Sequence, residues 1–232
     1  MSREQLVRET YTFNIDGQDK QLEIGSVYCI GYAGRDQKKV QEHIDELAEL
    51  GVPRPSETPT LYPVSVSTLN QKGAIEVIGK ESSGEAEIVL LFGETEDELY
   101  ITTGSDHTDR ALETVSINIS KQVCDKPVAN KAWSYSKVKD HWDQLMLKSQ
   151  VWINGKWENY QEQALTAILP VEDLLNYLKK KKVDLRHCLV FGGTVPLLAG
   201  FKYGEGYRIE LHDPVLADSI VCEYKVFNIE RE

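Results

Sequence analysis

The sequence predicts a β-dominated α+β domain, and three features of it carry that expectation. Short alternating or wholly apolar runs outnumber the helical stretches. Two Asx-Gly dipeptides, Asp16-Gly17 and Asn154-Gly155, stand between such runs as hairpin turns do. Strands and helices do not alternate as they would in a chain of βαβ units.

Taken in order, Tyr11-Thr12-Phe13-Asn14-Ile15 and Gln21-Leu22-Glu23-Ile24 flank Asp16-Gly17 and read as a β-hairpin. Residues 1–25 are therefore expected to form a hairpin extension, and residues 26–232 a single domain. Residues 25–32 look like a buried strand. Residues 36–50 form the clearest helix: Val40, Ile44, Leu47 and Leu50 make one stripe, and Asp36 suits the N-cap. Gly51 stops it, and the prolines from Pro53 to Pro59 keep the following segment extended. Residues 86–92 are the strongest strand run, followed by residues 98–102. A second helix is expected from near Thr108, with Ala111, Val115 and Ile119 as its apolar stripe. Asn154-Gly155 joins residues 150–153 to residues 156–158 in another hairpin. Residues 170–182 read as a helix with Pro170 in its first turn and a lysine run at its C-terminal end. Strands are expected again at 188–191, 207–211 and 220–227.

Composition narrows the function. A chain of 232 residues can bury a substantial core. Its 26 basic and 37 acidic residues give a net charge of -11, which argues against nucleic-acid or anionic-membrane partners. The longest apolar run is far short of a membrane span, and the start Met1-Ser2-Arg3-Glu4 has no hydrophobic signal region. Cys29, Cys124, Cys188 and Cys222 are widely separated with no C-x-x-C pair, so reduced, buried thiols are expected. A cytoplasmic location follows as the expectation.

Several groups could carry chemistry. Glu85 and Glu87 lie two apart at a strand end and so point to one face. With Asp106, just past the next strand, they could meet over one hard cation: Mg²⁺ or Mn²⁺, with Ca²⁺ also suited, rather than zinc. Asp106 equally suits a helix N-cap. His107, Asp109 and Arg110 complete a dense polar cluster, either a solvated helix start or a shell that orients Asp106. His43 and Glu46 are neighbours on one helix surface, as an ordinary exposed pair or as an imidazole held by a carboxylate for general-base work. His141, His187 and His212 lack such a partner and read as structural or surface residues. Gly192-Gly193-Thr194-Val195-Pro196 follows an apolar run. It is either a tight strand-ending turn or a loop whose N–H groups and threonine hydroxyl hold a carboxylate.

The order of these motifs resembles the fumarylacetoacetate hydrolase superfamily, from about Cys29 to Val226. The series is Gly31-Tyr32-Ala33-Gly34-Arg35-Asp36, His43-Ile44-Asp45-Glu46, Pro53-Arg54-Pro55, Glu85-Ala86-Glu87 through Gly93, Asp106-His107-Thr108-Asp109-Arg110, and Gly193-Thr194-Val195-Pro196. The stretches around Asp106 and His141-Trp142-Asp143 look like an uncharacterised branch of it. The resemblance implies a mixed, rolled, barrel-like β-sheet with few helices, like the C-terminal domain of that family. It implies that Glu85, Glu87 and Asp106 bind Mg²⁺ or Mn²⁺, over which a small 2-oxo or β-diketo acid chelates. The reaction it implies is hydrolytic C–C cleavage through an enolate, with decarboxylation, hydration or isomerisation on the same scaffold as alternatives. A non-catalytic metal- or metabolite-binding protein is the remaining one. His43 with Glu46 would activate water or move a proton. Arg35, Arg110, Gly193 and Thr194 would bind substrate. Lys126 and Lys131 bracket the place of the family's lysine, and a homodimer is the expected assembly.

Overall fold

The computed structural model describes residues 7–49 and 51–231. Its frame is an eight-stranded mixed sheet in the order Gln18–Ile24, Glu9–Ile15, Lys131–Ser134, Leu99–Ser105, Ala86–Phe92, Cys188–Thr194, Ser26–Gly31, Thr60–Val64. A second, five-stranded sheet runs Lys156–Ala164, Met146–Ile153, Gly206–Asp213, Asp218–Asn228, Ala74–Val77. Together they make the curled, half-barrel β-structure that the sequence predicts, with few helices.

Local chemistry explains the turns. Asp16 and Gly17 take φ of 54° and 91°, and Asn154 and Gly155 take 52° and 77°. Two consecutive left-handed residues match the right-handed twist of the strands, and Asx-Gly adopts them at least cost. The first hairpin does not stand apart: Glu9–Ile15 pairs in parallel with Lys131–Ser134 and extends the large sheet.

The central strand Ala86–Phe92 is buried along its whole length because it serves two cores. Ala86, Ile88, Leu90 and Phe92 face the larger cluster, between the sheets, with Leu147, Ile209 and Leu211. Val89 and Leu91 face the smaller cluster with Phe13, Val27, Cys29, Tyr62 and Phe191. Glu87 shares the parity of Val89 and Leu91 and so sits at the end of the smaller core. Truncating Leu90, which has no exposure, to alanine would cost about 2–5 kcal/mol.

The helix Gln37–Glu49 buries Val40, Ile44 and Leu47, and Asp36 Oδ1 caps it by accepting from the N–H groups of Lys38 and Lys39. Leu50, the fourth residue of the expected stripe, lies outside the described residues. The helix expected from Thr108 is different. It breaks into Arg110–Glu113 and Ile117–Gln122, because Ser116 is extended and caps the second piece while Asp109 caps the first. Val115 and Ile119 of the expected stripe are 71% and 53% exposed, and the inward residues are Arg110, Glu113, Ser120 and Lys121. Polar groups face inward here because the interior they face is charged. All four cysteines are buried and unpaired. Among the described residues no helix is long and apolar enough to cross a membrane.

Candidate metal centre

Strands Ala86–Phe92 and Leu99–Ser105 are antiparallel neighbours with Ala86 opposite Ser105 and Glu87 opposite Gly104. That pairing brings Glu85 and Asp106 together just beyond the strand ends, where the Asp106 N–H donates to the Glu85 carbonyl at 3.0 Å. The Thr103 hydroxyl holds the Glu87 carbonyl from below at 2.7 Å. One carboxylate oxygen from each of Glu85, Glu87 and Asp106 lies within 4.8 Å of the others. Glu87 and Asp106 are buried, while Glu85 opens partly to solvent. Asp106 caps no helix, a role that Asp109 takes by accepting from the Leu112 N–H at 2.9 Å.

Three cations surround the acids. Lys121 Nζ lies 2.5 Å from Asp106 Oδ2, and Lys126 Nζ lies 3.3 Å from Oδ1. Arg110 sends Nη2 to within 3.6 Å of Glu85 and Nη1 to within 3.0 Å of Glu113. Its Nε donates to Ser83 at 2.7 Å, and its plane lies 4.4 Å from the ring centre of Phe201. Burial opposes ionisation of Asp106, but Lys121 and Lys126 outweigh it and bring its pKa down to about 2. For Lys121 burial favours the neutral amine, yet Asp106 and Glu85 hold it firmly protonated. Glu87 goes the other way. Burial, then Asp106 and Glu85, push its carboxyl well above the usual range, against Lys121 and the Gly193 N–H.

The charge inventory follows. Glu85, Glu87, Asp106 and Glu113 face Lys121, Lys126 and Arg110. With Glu87 protonated the cluster is balanced. With Glu87 ionised it carries one negative charge, which a divalent cation would turn to one positive charge in excess. The donor set is oxygen only and partly open to solvent, and it fits Mg²⁺ or Mn²⁺.

Supporting contacts fix the acids. Gly193 donates its N–H to Glu87 Oε2 at 2.6 Å from a bulge in Cys188–Thr194, with φ of 138°. A Cβ there would come within 2.8 Å of Ile168 Cγ2, so glycine is required. The expected Gly-Thr loop is thus the end of a strand. Thr194 is also occupied, accepting from Gln161 Nε2 at 2.8 Å and donating to the Val195 carbonyl at 3.3 Å. Gln161 in turn accepts the Ala86 N–H at 2.9 Å. Behind Glu85, its N–H donates to Ser105 Oγ at 3.1 Å, and Ser105, Tyr224, His107 and Ser82 continue a buried chain at 2.8, 2.9 and 3.0 Å. Burial, with Lys126 and Arg110, holds the His107 imidazole neutral, so one ring nitrogen donates and the other accepts along this chain.

Other expected residues lie apart. His43 Nδ1 and Glu46 Oε2 are 3.8 Å apart, beyond hydrogen-bond range, and both side chains are mostly exposed. Among the described residues no hydrogen bond joins that pair to the acids, though the His43 ring is 6.5 Å from the ring of Tyr32. Tyr32 has a φ of 60°, a strained value for a tyrosine. Lys131 belongs to another contact: it donates to Asp218 at 2.5 Å and to the Ser219 carbonyl at 3.0 Å. Arg35 is engaged by Asp143 through two hydrogen bonds, at 2.9 and 2.6 Å, and by the Ile168 carbonyl at 3.0 Å. Lys121, Glu113, Gln161 and Tyr224 enter the site without having been expected there. Their polar character hid them from a search for apolar stripes.

Residues 30–224 match the family described as "Protein of unknown function (DUF2848)". No curated relative matches the chain in sequence. In fold it is similar to the protein Cg1458, with a TM-score of 0.63 at 16% identity over 88% of this chain and 76% of that one. It is also similar to 2-keto-3-deoxy-D-arabinonate dehydratase complexed with magnesium and 2,5-dioxopentanoate, with a TM-score of 0.64 at 15% identity over 89% of this chain and 74% of that one. At such identities the likeness concerns the fold alone, the curled, β-dominated architecture described above.

Proposed function

The chain belongs to the DUF2848 family, and within it we propose a divalent-metal-dependent enzyme acting on a small 2-oxo or β-diketo acid, most simply by hydrolytic C–C cleavage. The convergence of Glu85, Glu87 and Asp106 is the observation that carries this reading. Glu85, Glu87 and Asp106 would hold one Mg²⁺ or Mn²⁺, which supplies Lewis acidity to the oxo group when bound. The partly open Glu85 side marks where the acid enters, and the cation excess of the loaded cluster suits its negative charge. Arg110 fixes Glu85 and Glu113 against each other, and Gly193 aims Glu87. In this reading His43, exposed on its helix with its ring 6.5 Å from that of Tyr32, would move a proton or activate water if that helix closed over the acid. Arg35 and Thr194 stay in this reading as residues of the entrance, where they would meet substrate only by exchanging their present partners.

A second reading is dehydration or hydration on the same site, favoured by the similar fold of a dehydratase bound to magnesium and 2,5-dioxopentanoate. A panel of 2-oxo and β-diketo acids assayed with and without Mn²⁺ separates the two by product: cleavage yields two fragments and dehydration one. Turnover of no acid by wild type, or equal turnover by Glu87→Ala, would sink both. A homodimer belongs to the same proposal. Ile78, Val123, Phe227 and Ile229 stand exposed around a groove of about 880 Å³ that such an assembly would cover, and sedimentation at micromolar concentration tests it. A cytoplasmic setting, with four reduced cysteines, completes it.

A further inference from the structure

Two buried lysines reach the same carboxylate, and they are not equivalent. Lys126 Nζ donates to the carbonyls of His107 at 2.7 Å, Cys124 at 3.1 Å and Lys121, so its three protons are already assigned to backbone. Its 3.3 Å approach to Asp106 Oδ1 is a charge contact made from a fixed position. Lys121 differs. The one hydrogen bond found for its ammonium among the described residues is to Asp106 Oδ2, at 2.5 Å. The Tyr62 ring also faces it, its centre 5.9 Å away, and Glu85, Glu87 and Glu113 act on its charge without bonding it. The two carboxylate oxygens are unlike for the same reason. Oδ1 faces Lys126 and the Thr108 hydroxyl at 3.5 Å, both held by other bonds, whereas Oδ2 faces the lysine that can leave.

We propose that Lys121 is a placeholder cation: its ammonium occupies Asp106 Oδ2 until a divalent ion takes that oxygen, and it then binds the carboxylate of the incoming acid. The proposal rests on the metal-centre reading above. A divalent ion and an ammonium at contact with the same Asp106 oxygen repel strongly, and in this proposal the repulsion moves the ammonium off Oδ2. A displaced Lys121 is still tethered at the centre, with two or three N–H donors unassigned, beside a cluster that now carries excess positive charge. An anionic group is the ligand that both features fit. Lys126 has no proton to offer it.

The two halves predict opposite signs, which a purely structural role would not produce. Lys121→Met is expected to bind Mn²⁺ about tenfold more tightly than wild type, since a competitor is gone. Once loaded with Mn²⁺, it is expected to bind oxalate, a small chelating dianion, about 10–100-fold more weakly, the range of a lost charge-assisted hydrogen bond. Both are read by isothermal titration and by Mn²⁺ electron paramagnetic resonance, with no turnover needed. Lys121→Arg is expected to keep oxalate binding within about fivefold of wild type. Mn²⁺ binding by Lys121→Met that is no tighter than wild type, or oxalate binding that is unchanged, overturns the placeholder while leaving the metal centre intact. If neither protein takes Mn²⁺ at millimolar concentration, the metal centre and the placeholder fall together. Should Lys121→Met fail to fold, Lys121→Gln carries the same comparison with the same outcomes.

Discussion

The wall of the site formed by Ala86–Phe92 and Leu99–Ser105 differs sharply from the helix Gln37–Glu49 that precedes it in the chain. On the wall the charged groups are buried, Glu85 only in part, and answered: Asp106 by two lysines, Glu87 by the Gly193 N–H, Arg110 by Glu113 and Glu85. On the helix His43 and Glu46 stand mostly in water, 3.8 Å apart. The acids and cations of the wall are held against one another; the imidazole and carboxylate of the helix are uncommitted. Pre-organisation is thus concentrated on the side that would hold charge, and freedom on the side that would move a proton.

The strongest way to break that contrast is Glu87→Ala. It is expected to weaken Mn²⁺ binding by at least about 100-fold by titration calorimetry, a ligand's worth of affinity. His43→Ala is expected to leave it within about twofold while lowering turnover of an active acid by about 10²–10⁴-fold. Equal effects of the two on Mn²⁺ would erase the distinction. Next in size is Lys126→Met, which leaves Asp106 short of a cation and three carbonyls without a donor. A loss of about 3–5 kcal/mol in denaturant unfolding is expected. A loss below 1 kcal/mol would mean that the wall is not held as described.

Glu87→Gln sharpens the contrast from the other direction. The glutamine oxygen can still accept the Gly193 N–H, but no buried charge has to form. The metal-free variant is expected to be more stable than wild type by about 1–3 kcal/mol near neutral pH. The pH dependence has a definite sign. The folded-state pKa of Glu87 is raised, so wild type incurs no penalty below the ordinary carboxyl range and loses stability as pH climbs from there towards the folded value. The gap between variant and wild type should therefore open with rising pH, and melting curves between pH 4 and 8 would show it flat if Glu87 were not strained. The smallest effect is on the helix, where Glu46→Ala should change stability by no more than about 0.5 kcal/mol.

Which parts were legible follows from the range of the physics. Asp16-Gly17 and Asn154-Gly155 were readable because left-handed turns are chosen by the residues in them. The pairing of Glu85 with Glu87 was readable from the strand's period of two, and Asp106 from its place after the neighbouring strand. Lys121 was not, because periodicity looks for apolar stripes. Ala111, Val115 and Ile119 offered one, and tertiary context turned it outward in favour of Arg110, Glu113 and Lys121. Lys126 and Lys131 could not be told apart, since only the fold shows that Asp218 engages Lys131. Gly193 and Thr194 were legible as special residues, but their partners, Glu87 and Gln161, lie far off in the chain.

The two-sided burial of Ala86–Phe92 has a consequence for how the chain reaches its fold. A strand that is apolar on both faces can slide by one residue along its neighbours and still bury hydrocarbon, so hydrophobicity alone fixes its register weakly. Glu87 removes that freedom. A one-residue slip would carry its carboxylate from Gly193 and the lysines into the cluster of Leu147, Ile209 and Leu211, with no cation to meet it. The acid proposed to hold the metal therefore also proofreads strand alignment, and it does so before any metal is present.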